Sequence, residues 1–330
     1  MAWIGCMSIC IYWKNKDNHI IMKVRIMNKN VSVIIPSYNR AHVLDRTIPT
    51  YIQDITLEVI VVDDGSDDNT KEKVKKLHEK FEAVKYIGFK EHKGLPFAKN
   101  VGIKKARGKY IFFGDDDAVL YKGTLRRLRD AIETFPADIA GANGSYASCM
   151  QDIRNLDQYI QNQFTQSFDT NCIADFNTGW FNYDYKIETI TEGLYIMSPF
   201  LIKAELTKDI KFDPSFIVNA AREDMDYLVR QAKKGRKMVY VPDAYEIDLP
   251  RTFVRGGGSH SIDQWKNCIY SVRNNNYFIN RHYEFLKSKG YISVNKWEAK
   301  WNFCIYMIWT GYLWRKLCSA CRRLKENVYI

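Results

Sequence analysis

The chain predicts an α/β fold, a mixed, mainly parallel sheet flanked by helices and followed by a C-terminal helical tail. Two observations carry this. First, short apolar, β-branched runs recur at helix-length intervals, at Val31–Pro36, Leu57–Val62 and Ile111–Phe113. Continuous apolar runs of this length, separated by segments that can hold a helix, are the pattern of parallel strands buried on both faces. Second, every run ends in polar turn residues: Pro36 to Arg40, then Asp63-Asp64-Gly65-Ser66, then Asp115-Asp116-Asp117. Ligands of such sheets sit outside the carboxyl ends of the strands, so the polar termini are expected to converge on one edge.

Taken in order, residues 1–27 read as an N-terminal extension, either a misplaced start with Met22 or Met27 as the true one, or a surface anchor. Ala2 to Trp13 is mostly apolar, yet no basic region precedes it and no small-residue cleavage site follows, which argues against a signal peptide. Residues 28–250 are expected to form the catalytic domain, with 28–120 as its nucleotide-binding half and 121–250 as its acceptor half. Residues 251–330 hold a glycine-rich loop, Gly256 to Gly258, and a basic, aromatic-rich helical tail.

The third run sets the chemistry. No neighbour in it neutralises Asp115, Asp116 and Asp117, and such a cluster suits a hard cation. Asp115 and Asp117 are spaced so that both can reach one Mg²⁺ or Mn²⁺, ions that take oxygen ligands and recruit phosphate oxygens. The bland alternatives are a solvated acidic turn here, and a turn with a helix cap at Asp63 to Ser66.

These motifs together resemble the GT-A glycosyltransferases, specifically family 2. The likeness rests on an I-P-x-Y-N-R strand end at Ile35–Arg40, V-V-D-D-G-S at Val61–Ser66, and A-R-G-K-Y-I-x-F-x-D-D-D at Ala106–Asp117. Between them, His92–Ile103 is similar to the family's G-x-x-x-A-R-N-x-G segment, with Lys99 where arginine is usual. The charge is kept and the planar bidentate fork is lost. Downstream, Lys211–Phe216, Arg222–Arg230 and Gly235–Pro242 are similar to the F-D-x-x-F, E-D-x-D-L and G-x-x-x-x-x-V-P series.

The resemblance implies a metal-dependent, inverting transfer of a sugar from a nucleotide-sugar donor to an acceptor hydroxyl, the acceptor being a lipid-linked or surface glycan. Asp117 would ligate the metal, and Asp115 or Asp116 would take the ribose hydroxyls or an outer-shell role. Asp63 or Asp64 would bind the base near Pro36 and Tyr38, with Arg40 and Lys99 completing the donor site. Asp224, with Glu223 beside it, would be the general base; the alternative is the charged first turn of a helix. His260 is a further metal candidate, although it follows the glycines rather than preceding them, and Arg251 or Arg255 could pair with the diphosphate.

Other classes fall away. No G-x-x-x-x-G-K-[ST], no G-x-G-x-x-G opening a helix and no G-x-S-x-G is present, which excludes P-loop, dinucleotide-binding and nucleophile-elbow enzymes. The remaining rivals are a sugar-phosphate nucleotidyltransferase and a non-catalytic nucleotide- or glycan-binding protein. A formal charge of +11 spread along the chain without a nucleic-acid motif points to a diphosphate substrate or an anionic membrane surface instead of nucleic acid. The 8 cysteines, including Cys318 and Cys321, read as reduced thiols of a cytoplasmic protein. Trp297 to Leu317, aromatic-rich and followed by Arg322, Arg323 and Lys325, has the composition of an interfacial anchor at the inner face of the membrane; the alternative is a helix packed on the domain or on a dimer partner.

Overall fold

The computed structural model describes residues 8–12, 15–16, 19–20, 23–163, 174–181, 188–194, 199–257 and 262–313. Strand β1 (Val31–Ser37) is buried at every position, as its unbroken apolar run requires. It pairs in parallel with β2 (Thr56–Asp63) on one side and β4 (Tyr110–Phe113) on the other, and β3 (Val84–Gly88) extends the parallel half beyond β2. The other strands are β5 (Ala118–Leu120), β6 (Ile139–Tyr146), β7 (Phe200–Lys203) and β8 (Met238–Asp248). β7 lies antiparallel between β4 and β6, and β8 runs parallel to β6, so the order across the sheet is β3-β2-β1-β4-β7-β6-β8, with the two-residue strand Thr191–Glu192 antiparallel to β8 at the outer edge. The sheet is therefore mixed and mainly parallel, as expected.

The helices are α1 (Leu44–Thr47), α2 (Thr70–Lys80), α3 (Leu95–Lys105), α4 (Thr124–Thr134), α5 (Met150–Arg154), α6 (Leu156–Gln163), α7 (Glu223–Lys233), α8 (Gln264–Ser288) and α9 (Lys296–Tyr306). α4 buries Leu125, Leu128, Ala131 and Ile132, the i, i+3, i+6, i+7 stripe of an amphipathic helix. Alternation along the strands divides the core. Val33 and Ile35 join Val59, Val61 and Leu125 on one face, while Ile34 joins Ile60, Phe113, Tyr227 of α7 and Phe278 of α8 on the other. Helix α8 thus belongs to the main core rather than to a separate appendage.

In the N-terminal extension, Ser8–Tyr12 pairs antiparallel with Lys23–Met27, outside the main sheet. The tail is helical through α9 and the π-helical Met307–Leu313; the basic run from Arg315 onward and the Cys318/Cys321 pair lie outside the described residues. Cys149, Cys268 and Cys304 are free thiols.

Candidate functional site

The carboxyl ends of β1, β2 and β4 do converge. A cavity of about 800 Å³ is lined by Pro36, Tyr38 and Arg40 from the first, Asp64 from the second, and Asp115, Asp116 and Asp117 from the third. Its far wall is the segment Pro214–Ala220 with Gln264 and Asn267 of α8.

Local packing fixes the acidic run. Gly114 precedes it because the Tyr51 ring lies 2.6 Å from where a Cβ would stand. The Tyr51 hydroxyl donates to Glu246 Oε1 at 2.5 Å and accepts from the Asp115 amide at 3.2 Å, while Glu246 Oε1 also accepts from that amide at 3.0 Å. β8 pairs antiparallel with β5, setting Glu246 opposite Leu120 and Asp248 opposite Ala118, directly after the run. Five carboxylates are thereby gathered where the sequence showed three. Burial, then mutual repulsion, pushes Asp115 up to about 6 and Asp116 up to about 7, and holds Glu246 and Asp248 well above the carboxylate range.

One cation answers part of this charge, which corrects the expectation that nothing nearby neutralises the run. Arg40 Nη1 lies 3.2 Å from Asp117 Oδ2, and its Nε lies 3.9 Å from Asp116 Oδ1. The Ser37 hydroxyl donates to Asp116 Oδ2 at 2.7 Å. Arg40 Nη2 donates to the Gly257 carbonyl at 3.4 Å, tying the glycine-rich loop to the end of β1. Among the described residues, Arg40 Nε and Nη1 and Glu246 Oε2 are buried without a hydrogen-bond partner.

This donor set fits a hard divalent cation. It is all oxygen and carries more negative charge than Arg40 offsets. Among the described residues no three His, Cys, Asp or Glu side chains form a ready-made cage. That matches an ion held by one or two carboxylates and completed by phosphate oxygens. Asp117 is the better placed, its side chain 21% exposed against 11% for Asp116.

The two acids after β2 divide their work. Asp63 accepts from the Ser66 amide at 2.9 Å and the Tyr86 hydroxyl at 2.8 Å, the turn-capping role, and does not line the cavity. Asp64 does line it, and its carboxylate accepts from the amides of Lys93 (2.7 Å) and Gly94 (2.8 Å). His92, which also hydrogen-bonds Asp64, packs tilted against Tyr38 with ring centroids 4.3 Å apart and is held above the usual histidine range by that hydrogen bond, burial opposing it.

Lys99 is not on the cavity wall. Its Nζ sits 2.5 Å from Glu223 Oε1, both side chains nearly fully buried, and 5.0 Å from the Phe212 ring. The ammonium is paired with Glu223 and does not face the cavity. Burial alone would lower the Lys99 ammonium, but Glu223, Asp224 and Asp115 outweigh it and hold it above the lysine range. Burial raises Glu223 to about 7 in spite of Lys99.

At the start of α7, Glu223 is therefore engaged, and Asp224 is half-buried with Oδ1 accepting from the Met225 amide at 2.8 Å. Asp224 lies within electrostatic range of Asp115 and Lys99. The third acid of the motif, Asp226, is wholly buried and receives Arg230 (2.7 Å), Arg281 (3.1 Å) and His282 (2.8 Å), locking α7 to α8. The chain reaches this start through Val218, Ala220 and Arg222, all at positive φ (66°, 49° and 75°), a strained approach of the kind found at binding sites. His260 lies outside the described residues; Arg251 lines the cavity and Arg255 does not.

Fold and cavity define the class. The sheet is that of the GT-A glycosyltransferases: the structure aligns with the S. aureus TarS fragment in complex with UDP-GlcNAc over 83% of this chain and 70% of that one, with TM-score 0.53 and 19% identity. It aligns with the mannosyltransferase PcManGT of Pyrobaculum calidifontis, in complex with GDP-Man and Mn²⁺, over 90% and 80%, with TM-score 0.54 and 18% identity.

Within that class, residues 32–190 match the model of glycosyl transferase family 2, so the chain carries a family 2 glycosyltransferase segment. The GalNAc(5)-diNAcBac-PP-undecaprenol beta-1,3-glucosyltransferase of Campylobacter jejuni is 39% identical over 101 residues, 30% of this chain and 33% of that protein. Glycosyltransferase GlyA of Streptococcus pneumoniae is 31% identical over 120 residues, 36% and 17%. The alignments thus span a third or less of these relatives. The family match ends before Glu223 and Asp224.

Proposed function

We propose that this chain transfers a sugar from a nucleoside-diphosphate sugar to an acceptor hydroxyl by metal-dependent, inverting single displacement. The observation that carries the reading is the meeting of Pro36–Arg40, Asp64 and Asp115–Asp117 in one cavity at the carboxyl edge of the sheet. Tyr38 and Asp64 would bind the base, and Asp115 or Asp116 would take the ribose hydroxyls or an outer-shell role. Asp117, aided by Asp115, would hold the cation, and Mg²⁺ or Mn²⁺ bound there would supply Lewis-acid charge to the departing diphosphate. Arg40 and Arg251 add positive charge for the same group.

Asp224 is the base. Glu223 is committed to Lys99 and buried, whereas Asp224 is partly open and adjoins the acidic cluster. The acceptor is a lipid-linked or surface glycan and the enzyme works peripherally at the inner face of the membrane, a reading supported by the undecaprenol-linked substrate in the name of one relative.

Binding and hydrolysis of a panel of nucleotide sugars with Mn²⁺ or Mg²⁺ test this. Asp117→Ala should abolish metal-dependent binding. Asp224→Asn should bind the donor normally and lose turnover by about 10²- to 10⁴-fold. Binding of a nucleoside triphosphate and a sugar phosphate, with no nucleotide sugar bound, would replace this reading with nucleotidyl transfer.

A further inference from the structure

Helix α9 buries Ala299 and Phe303 and turns its other side outward. That side carries Trp297, Trp301, Ile305, Ile308 and Trp309, a stripe at intervals of three and four residues, with the three tryptophans 77%, 66% and 59% exposed. Large apolar side chains so exposed on one helix face mark a contact surface. The first turns of α8 adjoin it: Cys268 Sγ lies 3.7 Å from the Met307 carbonyl, and Trp265 and Ile269 on either side of Cys268 are exposed as well.

We infer that this face docks on an anionic membrane surface and sets the cavity mouth against it. Charge favours that occupant. Lys296 and Lys300 flank the stripe, with Lys300 Nζ 4.6 Å from the Trp297 ring, and the sequence just beyond adds Arg315, Lys316, Arg322, Arg323 and Lys325. A two-fold pairing with a second copy through this face would gather Lys296 and Lys300 of both copies at one seam. Tryptophan with basic residues is the composition of an interfacial helix, and among the described residues no helix is long and apolar enough to cross a bilayer.

The position of the face gives it a consequence. Gln264 and Asn267 line the cavity while their neighbours Trp265 and Ile269 point outward, so one stretch of helix joins the site to the docking face. Docking would hold the cavity at the depth where the head of a lipid-linked acceptor lies. That consequence, though not the docking itself, rests on the proposed transfer reaction.

The test is sedimentation of the full chain with vesicles of phosphatidylcholine alone or mixed equally with phosphatidylglycerol, beside a Trp301→Glu/Trp309→Glu double variant. The wild type should pellet with the anionic vesicles and be released by salt. The double variant should lose about tenfold or more in partitioning, with its melting temperature and nucleotide-sugar binding unchanged. No pelleting, equal pelleting of the variant, or equal binding to neutral vesicles overturns the inference; so does a wild-type dimer that the variant makes monomeric. Nucleotide-sugar binding is measured without vesicles, so its failure would remove the transfer reaction and leave the docking result standing.

Discussion

The Lys99–Glu223 pair offers the sharpest quantitative test. Lys99→Met keeps the length and apolar stem of the side chain but deletes the ammonium that interacts with Glu223, Asp224 and Asp115. Glu223 would then be a buried carboxylate without its 2.5 Å partner, and its Oε2 has no hydrogen bond to begin with. Breaking a buried pair in this way costs about 3–5 kcal/mol. At roughly 2–4 °C per kcal/mol for a domain of this size, the melting temperature should fall by about 10 °C near pH 7.5. The pH dependence has a defined sign. Glu223 is raised from 4.5 to about 7 on folding, so its protonation stabilises the fold below 4.5 and that contribution is lost as pH rises through 7. Without Lys99 the carboxyl climbs further, and the deficit of the variant should shrink at pH 5.5. Adding Glu223→Gln to Lys99→Met should restore about 2 kcal/mol or more, read by urea denaturation as a double-mutant cycle. A single variant melting within a few degrees of wild type at pH 7.5, or a cycle with no coupling, would refute the claim that the pair is a buried structural ion pair.

Two further outcomes follow from the geometry. Asp226→Asn weakens the two contacts that hold α7 to α8, from Arg281 and His282, and the Arg230 pair within α7, and should cost about 3 kcal/mol by chemical denaturation, while donor binding persists at low temperature. Gly257→Ala places a Cβ 2.2 Å from the Tyr38 carbonyl at φ +69°, so it should push the loop off the end of β1 and weaken nucleotide binding by about tenfold, measured by calorimetry, with a stability loss of about 1–3 kcal/mol.

The converging edge of the site was legible because each part of it is local. An apolar run that ends in Asp-Asp-Gly or Asp-Asp-Asp declares both its strand and its polar terminus, and parallel pairing then brings the termini together. Glu246 and Asp248 were not read, since their approach to Asp115 depends on β8 pairing with β5 across more than a hundred residues, nor was Tyr51, which reaches Asp115 from the turn before β2. A signal was there: Glu246 and Asp248 share one face of a largely apolar strand, and acids at a period of two in such a strand ask for a cation or a proton.

The E-D-x-D segment shows where reading by motif stops and helix phase takes over. Glu223 and Asp226 are three residues apart and fall on the inward face of α7 with Tyr227, whereas Asp224 is turned about 100° away. Three adjacent acids therefore have three fates, one paired with Lys99, one clasping α8 and one left partly open. Only Asp224 keeps its carboxylate partly open, and the two buried ones anchor the first turn from which it projects. The same phase argument applies to α9, whose apolar residues divide into Ala299 and Phe303 inward and the tryptophans outward. An aromatic-rich tail could be read from composition; that its tryptophans face away from the core depends on the turn of helix at which Asn295 caps it.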